Sequence, residues 1–310
     1  MSGIAFEELL APLHNCTLCP RDCGADRFSD RLGYCRSGAG FGISSIFAHR
    51  GEEPVISGPR GICNIFFSHC NMQCIYCQNY QISRNGCPHP DMPLDEVIDQ
   101  IERILARGIK MVGFVSPSHY LPQMRLIMKA LAGRGRNPIY VFNTNGYDRK
   151  ETIESLEDSM GVYLPDLKYM DEALAKNYSD APGYPNIAAE AITEMFRQKG
   201  PDIVLNDEGV IESGLIIRHL VLPGQVQNSK ECLRFIAEEL STSVHISLMS
   251  QYYPTPPVSG HSELDRHLRA EEYAEVLVEF EKLGFWRGWV QDLASPHHYL
   301  PDFTRPNVFE

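Results

Sequence analysis

The chain has 310 residues, 43% of them hydrophobic and 22% charged, with a formal net charge of −12 at pH 7. This describes a globular protein with room for one large α/β domain plus a small appendage, and it excludes a disordered chain. No Lys/Arg-rich run marks a nucleic-acid surface, and no apolar stretch approaches the roughly 20 residues of a membrane span. The start, MSGIAFEELLAPLHN, carries acids where a secretory signal needs basic residues and a long apolar run, so the expected location is the cytoplasm.

Residues 1–58 lack sustained periodicity and are rich in Cys, Gly and Arg. They read as a small module built of loops and organised by metal, with a short helix around Phe6–Leu10. Ten cysteines occur, eight of them in the first 80 residues. In a cytoplasmic chain, clusters this dense point to metal ligands; disulfides would require an oxidising compartment. Cys16-x2-Cys19-Pro-Arg-Asp-Cys23-x11-Cys35 supplies four thiolates within 20 residues. Four is the closed number for structural zinc and also for a second iron–sulfur cluster, so both remain open.

From Gly61 the pattern changes. Residues 62–68 (ICNIFFS), 110–116 (KMVGFVS) and 139–143 (IYVFN) read as buried strands, as do 162–169 (VYLPDLKY), 214–224 (GLIIRHLVLPG) and 244–250 (VHISLMS). Between them lie helical stretches: LDEVIDQIERILARG, LPQMRLIMKALAGRG, ETIESLEDSM, DEALAKNYS, NIAAEAITEMFRQKG, SKECLRFIAEEL and EEYAEVLVEFEKLG. IVLNDEGVIESG reads as a hairpin. Six strands alternating with helices make a parallel sheet. A doubly wound sheet is the alternative, but no G-x-G-x-x-G turn follows the first strand. The expected fold is therefore α/β: a partial (β/α)6 TIM-like barrel over residues 59–310 with a C-terminal extension, preceded by the Cys-rich module 1–58.

Barrel chemistry sits at the C-terminal ends of the strands. Those ends are the cysteine loop after the first strand, Ser116–His119, Asn143–Asn145, Asp166 with Lys168, Leu222–Gly224, and Ser250–Tyr252. The loop S-H-Cys70-N-M-Q-Cys74-I-Tyr76-Cys77-Q-N places three thiolates within eight residues. Thiolates suit zinc and iron–sulfur clusters. A closed site wants four ligands, so three leave one iron of a [4Fe–4S] cube open for chemistry. The alternative is zinc or a plain electron-transfer cluster completed by Cys63 or Cys87.

The C-x3-C-x2-C loop with Tyr76 before its last cysteine resembles the signature of the radical S-adenosylmethionine (SAM) superfamily. The resemblance implies a [4Fe–4S] cluster on Cys70, Cys74 and Cys77 that binds the methionine end of SAM. One electron then cleaves the cofactor to a 5′-deoxyadenosyl radical that abstracts hydrogen. FFSHCNMQCIYCQNYQIS, SPSHYLPQ, VYLPDLKYMD, LIIRHLVLPG and ISLMSQYYP together are similar to the PflX-type branch, named for likeness to the pyruvate formate-lyase activating enzyme. That likeness covers nearly the whole chain from Cys16 and includes the N-terminal cysteines without naming their metal. It implies an oxidoreductase that activates a glycyl-radical protein, fed by a donor such as flavodoxin or ferredoxin. A peptide or small molecule is the alternative substrate, and a non-catalytic electron carrier or metal-dependent binding module is the rival of another class.

Carried onto this chain, the resemblance makes Tyr76, Ser116, Ser118, Asn143, Asn145, Asp166, Lys168 and Arg218 candidate cofactor contacts. Each has a plainer reading. Asp166 and Lys168 face one side of a strand and can form a structural ion pair; Arg218 can form an ordinary salt bridge; N-T-N-G is an ordinary turn. His119 reads as a structural histidine. The chain departs from the activase pattern where G113-F-V-S-P-S-H-Y120 replaces Gly-Gly-Glu and where the last strand ends without histidine.

Overall fold

Six consecutive buried residues, Ile62–Phe67, form a strand covered on both faces, as an interior strand of a parallel sheet must be. The computed structural model describes residues 6–88, 91–293, 300–305 and 308–309. Its strands are β1 (Ile43–His49), β2 (Ile62–Phe67), β3 (Met111–Val115), β4 (Ile139–Thr144) and β5 (Val162–Pro165). They continue with β6 (Val204–Leu205), β7 (Ile211–Leu220), β8 (His245–Met249) and β9 (Gly288–Val290). They lie in the order β1-β2-β3-β4-β5-β7-β8-β9, with β6 paired to β7 off that path. β1 runs antiparallel to β2 and β6 to β7; every other pairing is parallel. Helices bridge successive parallel strands. One cavity is lined by Phe66, Val115, Asn143, Leu220, Met249 and Trp289, from β2, β3, β4, β7, β8 and β9. A flat sheet cannot enclose such a space. The sheet curls into an open, TIM-like partial barrel.

The interior closes at one end with apolar side chains from five strands. Ile62, Met111, Val141, Val162 and Ile216 share a buried cluster plugged by Ile56 from the short helix Pro54–Ser57. The larger core lies between the sheet and its helices. The helix Leu94–Leu105 buries Val97, Ile98, Ile101 and Ile104, the spacing that marks it in the sequence, and Gly108 follows at φ +86°.

Several elements differ from the sequence reading: β9 (Gly288–Val290) was not read as a strand, the strand expected over 214–224 runs over Ile211–Leu220, and three further differences have a local cause. Residues 43–49, read as part of a loop-built module, form β1 and extend the sheet. The segment hides its strand because both faces stay half-buried beyond Ile43, with a register shift between Ile43 and Ser45. The helix expected over 151–160 holds only for Lys150–Glu154. There Ser155 Oγ donates to the Thr152 carbonyl at 2.6 Å, and such local bonding competes with helix continuation. The strand expected over 162–169 stops at Pro165, which has no N–H for the ladder. Asp166 keeps one isolated bridge to Arg218 before the chain turns. Among the described residues no helix is long and apolar enough to cross a membrane.

Candidate active site

The cysteine loop leaves β2 at Ser68, whose N–H bonds the Gly42 carbonyl, and turns at His69, which adopts φ +65°. Four bonds to three other segments hold it. The Cys70 N–H donates to Asn85 Oδ1 at 3.1 Å, and Asn71 Nδ2 donates to the Tyr147 carbonyl at 2.8 Å. The Gln73 and Ile75 N–H groups reach the carbonyls of Ser179 and Tyr178. Cys70, Cys74 and Cys77 all line the cavity, whose volume is about 400 Å³. That size suits a small-molecule site.

Each of these sulfurs also meets a polar side chain. Asn145 Nδ2 donates to Cys70 Sγ at 3.4 Å and Ser179 Oγ to Cys74 Sγ at 2.9 Å. Ser83 Oγ lies 3.1 Å from Cys77 Sγ. Burial pushes the Cys70 thiol up to about 12 and the Cys74 thiol up to about 11, against the pull of Lys168 on Cys74. A metal must therefore displace protons to bind.

The candidates from the barrel strands fall into three groups. Ser116, Asn143, Asn145, Asp166, Lys168, Arg218 and Tyr76 line the cavity. Ser118 is 1% exposed, sits 3.4 Å from Thr144 Oγ1 and is absent from the lining. Its hydroxyl is turned to the fold. Two lining residues are already engaged by the chain. Arg218, read as the partner of a cofactor carboxylate, donates through Nε to Glu53 Oε1 at 2.8 Å and through one Nη to Glu53 Oε2 and to Glu52. Asn145, read as a ribose contact, gives its amide N–H groups to Cys70 Sγ and Asn71 Oδ1, and its Oδ1 accepts from the Tyr147 N–H. His119 is buried, with Nε2 at 3.0 Å from the Ser68 carbonyl, as a structural histidine would be.

Asp166 and Lys168 form an ion pair of 2.6 Å whose side chains are 22% and 17% exposed. Burial works against the charge on Lys168, yet Asp166 and Cys74 hold its ammonium well above its ordinary range. The turn carrying the pair is fixed by residues that sequence reasoning missed. Tyr184 Oη bonds the Asp166 carbonyl and the Lys168 N–H, and Asn228 Nδ2 donates to the Lys168 carbonyl. His219 Nδ1 lies 2.7 Å from the Leu167 carbonyl, which only accepts, so that nitrogen carries the proton and Nε2 accepts from Ser229 Oγ. Burial lowers His219 to about 4, which keeps it neutral at pH 7.

Glu52 and Glu53 were also missed, because they follow β1 in a segment without periodicity. Asn64 Nδ2 donates to Glu52 Oε1 at 2.6 Å from the middle of β2. Burial opposes the Glu52 charge, but Arg218 and then His49 outweigh it and hold the carboxyl below its usual range.

At the N-terminal quartet, Cys16, Cys19 and Cys35 are buried and Cys23 is exposed. All ten cysteines of the chain are free thiols. Burial raises Cys16 and Cys19, Cys19 to about 12; the charges of Cys23 and Cys35 add to the rise at Cys16, and those of Cys35, Cys16 and Cys23 to the rise at Cys19. The four thiols are thus within electrostatic reach of one another. Arg21, between Cys19 and Cys23, stacks 3.6 Å over the Tyr34 ring and donates to the Asn71 carbonyl at 2.8 Å, which ties the quartet to the cysteine loop.

Among the described residues no three His, Cys, Asp or Glu side chains converge as the ligands of a single ion would. Three soft donors spread along one cavity wall fit a cluster, whose several irons set its ligands apart. The radical SAM superfamily description matches residues 64–236, which include the cysteine loop and the strand ends through Arg218. The chain belongs to the radical SAM superfamily. Membership of this superfamily implies a [4Fe–4S] cluster and SAM, and Cys70, Cys74 and Cys77, which line the cavity, are the residues that would hold the cluster.

Among relatives, the chain is 29% identical over 278 residues to an uncharacterized protein of Methanocaldococcus jannaschii, covering 86% of this chain and 75% of that one. A domain of a pyruvate-formate lyase-activating enzyme from Bacteroides vulgatus is 16% identical, with 56% of this chain and 93% of that one covered and a TM-score of 0.38. SuiB of Streptococcus suis bound to S-adenosylmethionine is 13% identical, with 75% and 50% covered and a TM-score of 0.49.

Proposed function

We propose that this radical SAM protein cleaves SAM reductively and takes a hydrogen atom from a substrate seated in the barrel cavity. The observation that carries this reading is the placement of Cys70, Cys74 and Cys77 on one wall of a cavity at the C-terminal ends of parallel strands. When bound, the cluster and SAM supply one-electron cleavage of a sulfur–carbon bond and a radical able to abstract hydrogen. The chain's own residues orient and enclose. The Asp166–Lys168 pair offers a carboxylate and an ammonium to the cofactor's polar groups, and Ser116 and Asn143 border the same space. A flavodoxin or ferredoxin is the proposed electron source. The test is 5′-deoxyadenosine formation by anaerobically reconstituted protein with dithionite; a loaded protein that forms none sinks the reading.

Within that chemistry, D166-L-K168 and V221-L-P-G224 support a PflX-type activase acting on a glycyl-radical protein. A second reading is favoured by the cavity's charge. Three carboxylates, Glu52, Glu53 and Asp166, line it against two cations, Arg218 and Lys168. Burial holds the His49 imidazole of the same lining below its ordinary range. Phe66, Trp289 and Phe309 supply aromatic faces that attract cations. That combination suits an amine or a basic peptide. A glycyl-radical doublet in spin resonance on a co-incubated partner protein would decide for activation. SAM cleavage stimulated by a panel of primary amines and Lys- or Arg-bearing peptides, with no doublet, would decide for the second reading.

Two further outcomes are expected. Asp166→Asn leaves iron content unchanged but raises the SAM concentration for half-maximal cleavage about tenfold, because a charge-assisted bond to an ordered ligand contributes more than a neutral one. A variant that loses its iron, while its residual loaded fraction binds SAM normally, would make the pair structural. Cys16, Cys19, Cys23 and Cys35 are proposed to draw together on one further metal centre. In a Cys70/Cys74/Cys77 triple-Ala variant, iron with sulfide would identify a second cluster and zinc alone a structural knuckle. The absence of both metals would remove the site.

A further inference from the structure

The three cluster cysteines meet side chains from three different parts of the fold. Asn145 comes from the turn after β4, Ser83 from the short helix Tyr80–Ser83, and Ser179 from the end of the helix Glu172–Ser179. Their distances to Cys70, Cys77 and Cys74 are 3.4, 3.1 and 2.9 Å. Ser179 is the inner end of a longer chain. Its Oγ lies 2.7 Å from Tyr169 Oη, and Tyr169 Oη lies 2.6 Å from Tyr76 Oη. Tyr76 belongs to the cysteine loop itself, so the chain of hydroxyls returns to the segment it serves.

A free thiol can give or take a hydrogen bond, but a metal-bound thiolate has no proton and only accepts. Ligation therefore fixes the direction of the whole chain. Ser179 donates to Cys74, Tyr169 donates to Ser179, and Tyr76 donates to Tyr169. Successive bonds pointing one way polarise one another, and they do so most where water is excluded. Ser179 and Tyr169 are fully buried and Tyr76 is 5% exposed.

We propose that Ser179, with Tyr169 and Tyr76 behind it, is a positioning residue that sets the reduction potential of the cluster on Cys70, Cys74 and Cys77, Ser83 and Asn145 acting likewise on the other two sulfurs. The proposal rests on the radical SAM reading of those cysteines. Reduction adds an electron whose charge is shared with the sulfurs. A donor aimed at a sulfur stabilises the reduced form more than the oxidised one and makes reduction easier. A serine that merely held the loop in place would leave that balance alone.

The experiment is a redox titration of the full chain, reconstituted anaerobically and followed by spin resonance, with iron and sulfide counted in each sample and no SAM added. Ser179→Ala is expected to favour reduction about tenfold less, equivalent to about 59 mV for one electron, with a more negative midpoint. Tyr169→Phe keeps the serine and removes the hydroxyl behind it, so a smaller shift of the same sign is expected. Ser179→Thr restores the donor and the wild-type midpoint. Should Ser179→Ala fail to take up iron, Tyr169→Phe decides. Loaded Ser179→Ala and Tyr169→Phe proteins that titrate with the wild type overturn the proposal and leave the radical SAM reading intact. A wild-type protein that takes up no cluster at all overturns both.

Discussion

Changing Cys70, Cys74 or Cys77 to Ala abolishes 5′-deoxyadenosine formation under dithionite, while the barrel stays folded. Both halves of that expectation follow from the loop's construction. Removing one sulfur deletes little apolar surface, so the stability cost is on the order of 1 kcal/mol. The loop keeps its other anchors: Cys70 N–H on Asn85, Asn71 on Tyr147, and the Gln73 and Ile75 N–H groups on the carbonyls of residues 179 and 178. No neighbouring thiol stands in the same place. Cys63 is buried in β2 among the larger core, with its thiol pushed up to about 12 by burial alone. Cys87 has its Sγ at 3.8 Å from the Tyr80 carbonyl and does not line the cavity. Circular dichroism and iron counts on each variant separate loss of chemistry from loss of fold. Turnover retained by all three would remove the assignment.

Arg218→Met destabilises the protein by about 3–5 kcal/mol, the usual cost of leaving buried charge without its partner. Arg218 is 12% exposed, and Glu52 and Glu53 are 9% and 5% exposed. With the guanidinium gone, two carboxylates remain at close range in a cavity wall. Asn64 and its single amide bond to Glu52 cannot offset that. Adding Glu52→Gln and Glu53→Gln to the Met variant removes the stranded charge and recovers most of the loss. Chemical denaturation under anaerobic conditions measures both steps. A loss below about 1 kcal/mol for the single variant would mean that water already screens the three groups. The triple variant also tests the second reading of the substrate, since it removes two of the three lining carboxylates without touching the cysteines.

Much of the barrel could be read from pattern. The strands beginning at Ile62, Met111, Ile139, Val162 and His245 are buried runs flanked by helices with one apolar face, and both signals are local. The cysteine loop was legible for the same reason: three ligands within eight residues need no knowledge of the fold. What stayed hidden depends on distant chain meeting chain. Glu52 and Arg218 are 166 residues apart, and nothing in either segment announces the other. Ser179 reaches Cys74 across 105 residues, and a serine at the end of a helix looks like any other. Ser118 shows the reverse: position at a strand end suggested the cavity, but its hydroxyl lies against Thr144 and is absent from the lining. Asn145 does line the cavity, yet its amide is engaged by Cys70 and Asn71, partners that spacing alone does not reveal.

The barrel is a ribbon whose two ends do not meet. β1 and β9 close the order at opposite ends, and among the described residues no ladder joins them. In mechanical terms the wall is stiff around most of its circumference and compliant along one seam. Parting the neighbouring strands β3 and β4 would break hydrogen bonds, whereas parting β1 from β9 breaks no ladder among the described residues. What lies against the β1 side of the gap is softer. Phe309 rests 4.3 Å from His49 and 5.9 Å from Phe47, and Phe303 lies 5.3 Å from Phe66. Such ring contacts are each worth only about 0.5–1.5 kcal/mol beyond the area they bury. Among the described residues, a molecule wider than the resting cavity therefore meets its least resistance at this seam, from the side, between Trp289 of β9 and the strands β1 and β2 that lead to the cysteine loop.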